Sequence, residues 1–200
     1  MRARIAAIFA ISTTLSTLGG CTGDTSDASP DRESDLTLRV ATFNLADVRT
    51  EQLLRSDDPK IIAAAAIIQR LHPDIILLNE VAYDHGEPPG QNGQRFADRY
   101  LTVSQGEGLD PINYQSFMAP SNTGISSGFD LNNDGAVTVK PDEADEGRAY
   151  GADCWGYGTF PGQYAMTLLV REGIDIDLDN VRTFQTFRWS QMPGALRPVD

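Results

Sequence analysis

The chemistry-bearing residues of this chain stand at the ends of apolar runs. LRVATFNL delivers Asn44 where a turn glycine would be the ordinary choice, and DIILLNEV delivers Asn79 and Glu80 directly after four large apolar side chains. A carboxylate that follows such a run is costly to bury without a partner. A divalent cation at the end of the strand would resolve that cost, and an amide beside it would orient either the cation or a bound phosphoryl group. A second oxygen-rich pattern lies in FDLNNDGAVTVKPDEAD. Asp130, Asn132 and Asp134, followed by Gly135 and the apolar Val137, copy the first half of an EF-hand calcium loop. The twelfth position, normally a bidentate glutamate, is Pro141, with Asp142 or Glu143 as substitutes. An Asx-rich surface turn is the plainer alternative for this segment.

The elements that must position Asn44 and Glu80 are legible. LRVATFNL reads as a strand. A helix follows in DDPKIIAAAAIIQRLHPD, with Asp58 as N-cap, Pro59 in the first helical position and apolar residues through Leu71. His72 and Pro73 end it, because a residue before proline is pushed out of the helical region. The continuously apolar DIILLNEV then reads as a strand covered on both faces. Strand, helix, strand is a crossover unit that makes the two strands parallel neighbours. Parallel strands end at one edge of the sheet, so Asn44 and Glu80 are expected to converge there.

The pair RVATFNL … PDIILLNEV resembles the opening of the endonuclease/exonuclease/phosphatase superfamily, with Asn79 standing where that family usually has Gln. FPGQYAMTLLVREGI is similar to a later strand of the family, with Arg171 on its basic position, and VRTFQTFRWSQMPGA to the strand and turn after it. The resemblance implies an α/β (α+β) fold, a four-layer α/β/β/α sandwich. It implies hydrolysis of phosphoesters with Mg²⁺ or Mn²⁺, with Asn44 and Glu80 as catalytic and metal-binding residues. The family's Asp-x-Asn pair, further Asp and acid/base His match no position in this chain. Neither His72 in the helix-ending turn nor His85 in a polar loop fits the acid/base part. The expectation is therefore an N-terminal part of a catalytic domain, apparently truncated.

Domain organisation follows from composition. MRARIAAIFAISTTLSTLGG has the basic start, short apolar run and small-residue end of an export signal. The LGGC at its end resembles a lipobox, with Cys21 as the lipidated residue. We expect a lipoprotein signal peptide over residues 1–20 and a disordered tether over 21–35. The catalytic-type domain spans 36–200, with a Gly- and Asp-rich insertion at about 104–159. The expected location is the bacterial envelope, exported and membrane-anchored through the lipid, in the periplasm or on the cell surface.

Sixteen basic against 28 acidic residues give a net charge of −12, which becomes −14 once Arg2 and Arg4 leave with the signal peptide. That balance is a weak footprint for tight nucleic-acid binding, though it does not exclude a basic groove on an acidic body. DNA, a phosphomonoester and a lipid head group all remain open as phosphoester substrates, and no protein partner is implied. Once Cys21 is lipidated, Cys154 stands alone, so no internal disulfide can form and the thiol reads as structural or idle. CWGYGTFPGQY is aromatic and Gly-rich; Tyr157 and Arg171 are candidates for substrate binding, with core covering as the alternative for the aromatics. Asp47 and Asp84, within a few residues of the two edge positions, read as solvated loop carboxylates, with reach to the metal by way of water as the alternative. The alternative to an enzyme is a catalytically silent, calcium-ordered surface lipoprotein that keeps the same fold.

Overall fold

The computed structural model describes residues 37–196 together with the backbone of residues 4 and 5. Most of the leader, Cys21 and the tether therefore lie outside the described residues. The strands are β1 (Arg4–Ile5), β2 (Val40–Val48), β3 (Ile75–Val81), β4 (Tyr114–Met118), β5 (Met166–Arg171) and β6 (Asp175–Ile176). The helices are α1 (Thr50–Leu53), α2 (Pro59–Leu71), α3 (Asn92–Phe96) and α4 (Arg148–Ala152), with α3 running on into a wider turn over Ala97–Leu101. Four strands form one mixed sheet in the order β2-β3-β5-β4, while β1 and β6 make a separate two-residue pairing. No helix among the described residues is long and apolar enough to cross a membrane.

The crossover unit forms as its residues dictate. Asp58 accepts from the backbone N–H groups of Lys60 and Ile61 at 3.0 and 3.2 Å, and Pro59 opens α2. His72 closes the helix in a left-handed conformation, φ 49°, its N–H bonded to the Ile68 carbonyl. Ile61, Ala64, Ala65 and Ile68 recur at helical spacing and are buried. They meet a sheet face built from Ala41, Phe43 and Leu45, Ile76 and Leu78, and Leu169. Each fully buried isoleucine contributes about 1.5–3 kcal/mol of transfer free energy. Phe96, Tyr100 and Leu101 complete this core, and the Tyr100 hydroxyl donates to the carbonyls of Gln52 and Arg55.

One sheet with helices against one face agrees with the α/β class. The second sheet of a four-layer sandwich is not among the described residues. The opposite face stays partly open, with Val40 and Met166 exposed and Leu77, Phe117 and Leu168 around a shallow apolar hollow.

Three sequence expectations need correction. The first strand does not end at Asn44 but continues past an irregularity to Val48, which pairs with Val81. The stretch assigned wholly to an insertion contains β4, whose short YQSFM run becomes a strand because the open edge of β5 pairs with it. VRTFQTFRWSQMPGA forms no strand. Both edges of β5 are already taken by β3 and β4, and this segment instead bonds through Gln185 to Ser121 and Asn122.

Asp58 also links the unit to α1, accepting from Gln52 Nε2 at 3.0 Å with Arg55 nearby. Burial opposes its charge. The bonds from Gln52, Ile61 and Lys60 and the Arg55 charge outweigh that and hold its carboxyl below the ordinary 3.8. Asp58→Ala is expected to cost about 1–2 kcal/mol at neutral pH in urea unfolding. A group with a lowered folded pKa stabilises above its unfolded value, and that contribution is lost as pH falls through the folded one. The gap between wild type and variant should therefore close as the pH is taken below about 3.8.

Candidate active site

The parallel register sets Asn44 directly opposite Asn79, which places Glu80 one residue further along the same edge. In a regular strand Glu80 would share the face of Leu78 and enter the apolar core. It does not, because its backbone turns left-handed, φ 61°. Its carboxylate instead accepts from Asn44 Nδ2 at 2.7 Å on one oxygen and from the Asp47 N–H at 3.1 Å on the other. The Asn44 carbonyl oxygen is taken by the Ala46 N–H at 2.7 Å. Asn44 is thus placed as a group that orients Glu80, with one lone pair of its side-chain oxygen still free. Asn79 is occupied across the strands, donating to Thr42 Oγ1 at 3.0 Å.

Asp47 reaches Glu80 because β2 carries two extra residues between its pairings at Asn44 and Val48. Ala46 and Asp47 occupy that irregularity at φ 55° and 60°, and Lys60 Nζ donates to both of their carbonyl oxygens. Tyr164 has φ 58°. Four of the seven non-glycine residues with positive φ among those described therefore gather here. Each such conformation costs of order 1–3 kcal/mol, and residues held this way cluster at active sites, ligand clamps and switch regions.

The expectation that Asp47 and Asp84 are solvated is overturned. Asp47 accepts from Arg49 Nε and Nη2 at 3.1 and 2.9 Å and from Gln163 Nε2 at 3.2 Å. Asp84 is buried, paired with Arg95 at 2.7 Å and bonded by the Asn92 N–H at 3.0 Å, which ties it into the start of α3 and away from chemistry.

Gln163 was missed by sequence reasoning, although the signal was present. It precedes an apolar strand as Glu80 follows one, and β5 runs antiparallel to β3, so the start of β5 meets the end of β3. The same geometry corrects Arg171. It closes β5 at the far edge, ion-paired with Asp74 at the start of β3, and does not reach the Glu80 edge. Gly162 makes the turn before Gln163 with φ 86°; a Cβ there would come within 2.5 Å of the Tyr83 carbonyl oxygen. Gln163 is fully buried and accepts from both the N–H and the hydroxyl of Thr159 at 2.7 and 2.9 Å.

Tyr157 and Tyr164 stack with ring centroids 6.4 Å apart and form one wall of a cavity of about 720 Å³ that Gln163 and Arg49 also line. Burial, and then the charges of Asp47, Tyr157 and Glu80, push the Tyr164 hydroxyl up, with Arg49 opposing. The phenol therefore stays protonated, able to donate beside two carboxylates. Cys154 is buried, donates to the Tyr150 carbonyl and has its thiol pushed up by burial.

In the Asp130 loop the carboxylates bond their own backbone. Asp130 accepts from the N–H groups of Asp134 and Gly135, and Asp134 from Ala136 N–H and Asn132 Nδ2. A residue outside the motif, the buried Asp153, anchors the loop by accepting from the N–H groups of Leu131 and Thr138 at 2.9 and 2.8 Å.

Among the described residues no three His, Cys, Asp or Glu side chains gather around one point. Glu80 nevertheless suits Mg²⁺, a hard ion that keeps several waters and is often bound through one or two carboxylates. Its two oxygens are aimed by donors that each use one lone pair and leave others free.

An oriented carboxylate at a sheet edge is a group able to help hold a hard divalent ion. The chain belongs to the Endonuclease/Exonuclease/phosphatase family, which it matches over residues 41–200. No curated protein and no solved structure matches it significantly.

Gln163→Ala removes the acceptor of two Thr159 donors and the donor to Asp47. It is expected to cost about 1–3 kcal/mol in urea unfolding. A loss below a few tenths would contradict this account of the site's support.

Proposed function

We propose that this protein is a divalent-metal-dependent phosphoesterase of the bacterial envelope, with Glu80 as the carboxylate that holds Mg²⁺ or Mn²⁺. The observation that carries the reading is the Glu80 carboxylate itself. It sits at the end of an apolar strand, in a strained backbone conformation, with both oxygens aimed by neighbours rather than neutralised by a basic side chain. Membership of the family supports hydrolysis of phosphoester bonds with a divalent ion. When bound, such an ion neutralises charge on phosphoryl oxygens and stabilises the leaving oxygen.

The chain's own residues divide the remaining work. Asn44 and the Asp47 N–H fix the direction in which Glu80 presents its lone pairs. Lys60, bonded to the carbonyls of Ala46 and Asp47, holds the irregular segment that supplies that N–H. The protonated Tyr164 hydroxyl is a donor for a phosphoryl oxygen. The leader and the LGGC ending at Cys21 support export and lipid anchoring. The calcium-ordered module remains the second reading, favoured by the spacing of Asp130, Asn132 and Asp134 and by the anchoring of their loop on Asp153.

Turnover of bis-p-nitrophenyl phosphate and p-nitrophenyl phosphate in Mg²⁺ or Mn²⁺ separates the two. Glu80→Gln is expected to lower kcat/KM by about 10²–10³-fold, and Asn44→Ala by about 10- to 100-fold, as for a residue that orients a metal ligand. Absence of turnover, together with a Tm that rises with Ca²⁺ and loses that response in Asp130→Asn/Asp134→Asn, would favour the silent module.

A further inference from the structure

Arg49 is held on two sides. Its Nε and Nη2 donate to one oxygen of Asp47, and its guanidinium carbon lies 5.2 Å from the centroid of the Phe160 ring. An exposed arginine–aspartate pair two residues apart would ordinarily contribute little. This one differs because the aspartate that clamps Arg49 is also the residue whose N–H holds Glu80. The arginine side chain is still 48% exposed and lines the cavity walled by Tyr157 and Tyr164. A guanidinium has five N–H donors in a planar fork, and Asp47 engages only the Nε–Nη2 edge. The Nη1 edge is left for a ligand beside the carboxylate site.

The cavity limits what that ligand can be. Its volume of about 720 Å³ falls in the range of small-molecule sites. Asp142, Glu143 and Glu146 also line it, and only Glu146 is paired with a base, Arg148. Uncompensated carboxylates on that wall oppose a polyanion while leaving a single phosphate on Arg49 acceptable. Tyr157, half exposed and lining the cavity, supplies aromatic surface for a planar group.

We propose that Arg49 is the phosphate-binding residue of a small-molecule subsite next to Glu80, one that takes a compact organic phosphoester with a planar substituent and excludes duplex nucleic acid. This rests on the phosphoesterase reading and names its substrate class. Calorimetric titration of the full chain with phenyl phosphate, with and without Mn²⁺, tests it. Arg49→Ala and Arg49→Lys should each weaken binding by about 10- to 100-fold in the metal-free titration, the lysine because it lacks the planar fork. Tyr157→Leu should weaken phenyl phosphate but not inorganic phosphate. A short DNA duplex at the same ionic strength should bind far more weakly than phenyl phosphate.

Wild-type affinity in both Arg49 variants, with circular dichroism showing them folded, would overturn the proposal, as would duplex DNA binding as tightly as phenyl phosphate. If wild type binds no Mn²⁺ at all, the metal reading fails separately. The metal-free titration still scores Arg49.

Discussion

A charged carboxylate at the end of an apolar strand is the constraint around which this structure is arranged. Were β3 regular, Glu80 would enter the core beside Leu78, where an unpaired charge costs several kcal/mol. The left-handed turn at Glu80 takes it out of that face, and the parallel register with β2 supplies the amide that receives it. Both depend on α2. The Asp58 cap, the Pro59 start and the His72 stop fix the crossover that makes β2 and β3 parallel neighbours. Lys60 in the first turn of that helix then holds the irregular segment of β2 against the site.

The segment between β4 and β5 adds a second layer of control. Gln163 connects Thr159 to Asp47, and Asp47 connects onward to Glu80 through its backbone and to Arg49 through its carboxylate. Buried polar chains of this kind are stabilising only when every member is satisfied. No buried side-chain N or O among the described residues lacks a partner. The loop that carries the EF-hand-like spacing is anchored separately by Asp153, so ordering of that loop and support of the Glu80 edge use different residues.

What could be read from the residues was local. Asp58-Pro59 and His72-Pro73 bound a helix by their own backbone preferences, and two apolar runs around it imply a crossover whatever the rest of the chain does. Asn44 and Glu80 followed, because parallel strands share an edge. What could not be read was non-local. YQSFM has too little pattern to declare itself a strand, and only the free edge of β5 makes it β4. The direction of β5 decided the fate of its two ends, bringing Gln163 to the site and leaving Arg171 with Asp74. Asp47 and Asp84 look alike as loop carboxylates, yet one is gathered into the site and the other into the base of α3 by partners distant in sequence.

The most direct test of the central claim is Mn²⁺ binding followed by electron paramagnetic resonance in Asp130→Asn/Asp134→Asn, which isolates the Glu80 edge from the EF-hand-like loop. The account predicts one Mn²⁺ per chain in that background and its loss when Glu80→Gln is added. Mn²⁺ binding that survives Glu80→Gln unchanged, or that vanishes with the loop substitutions alone, would contradict it.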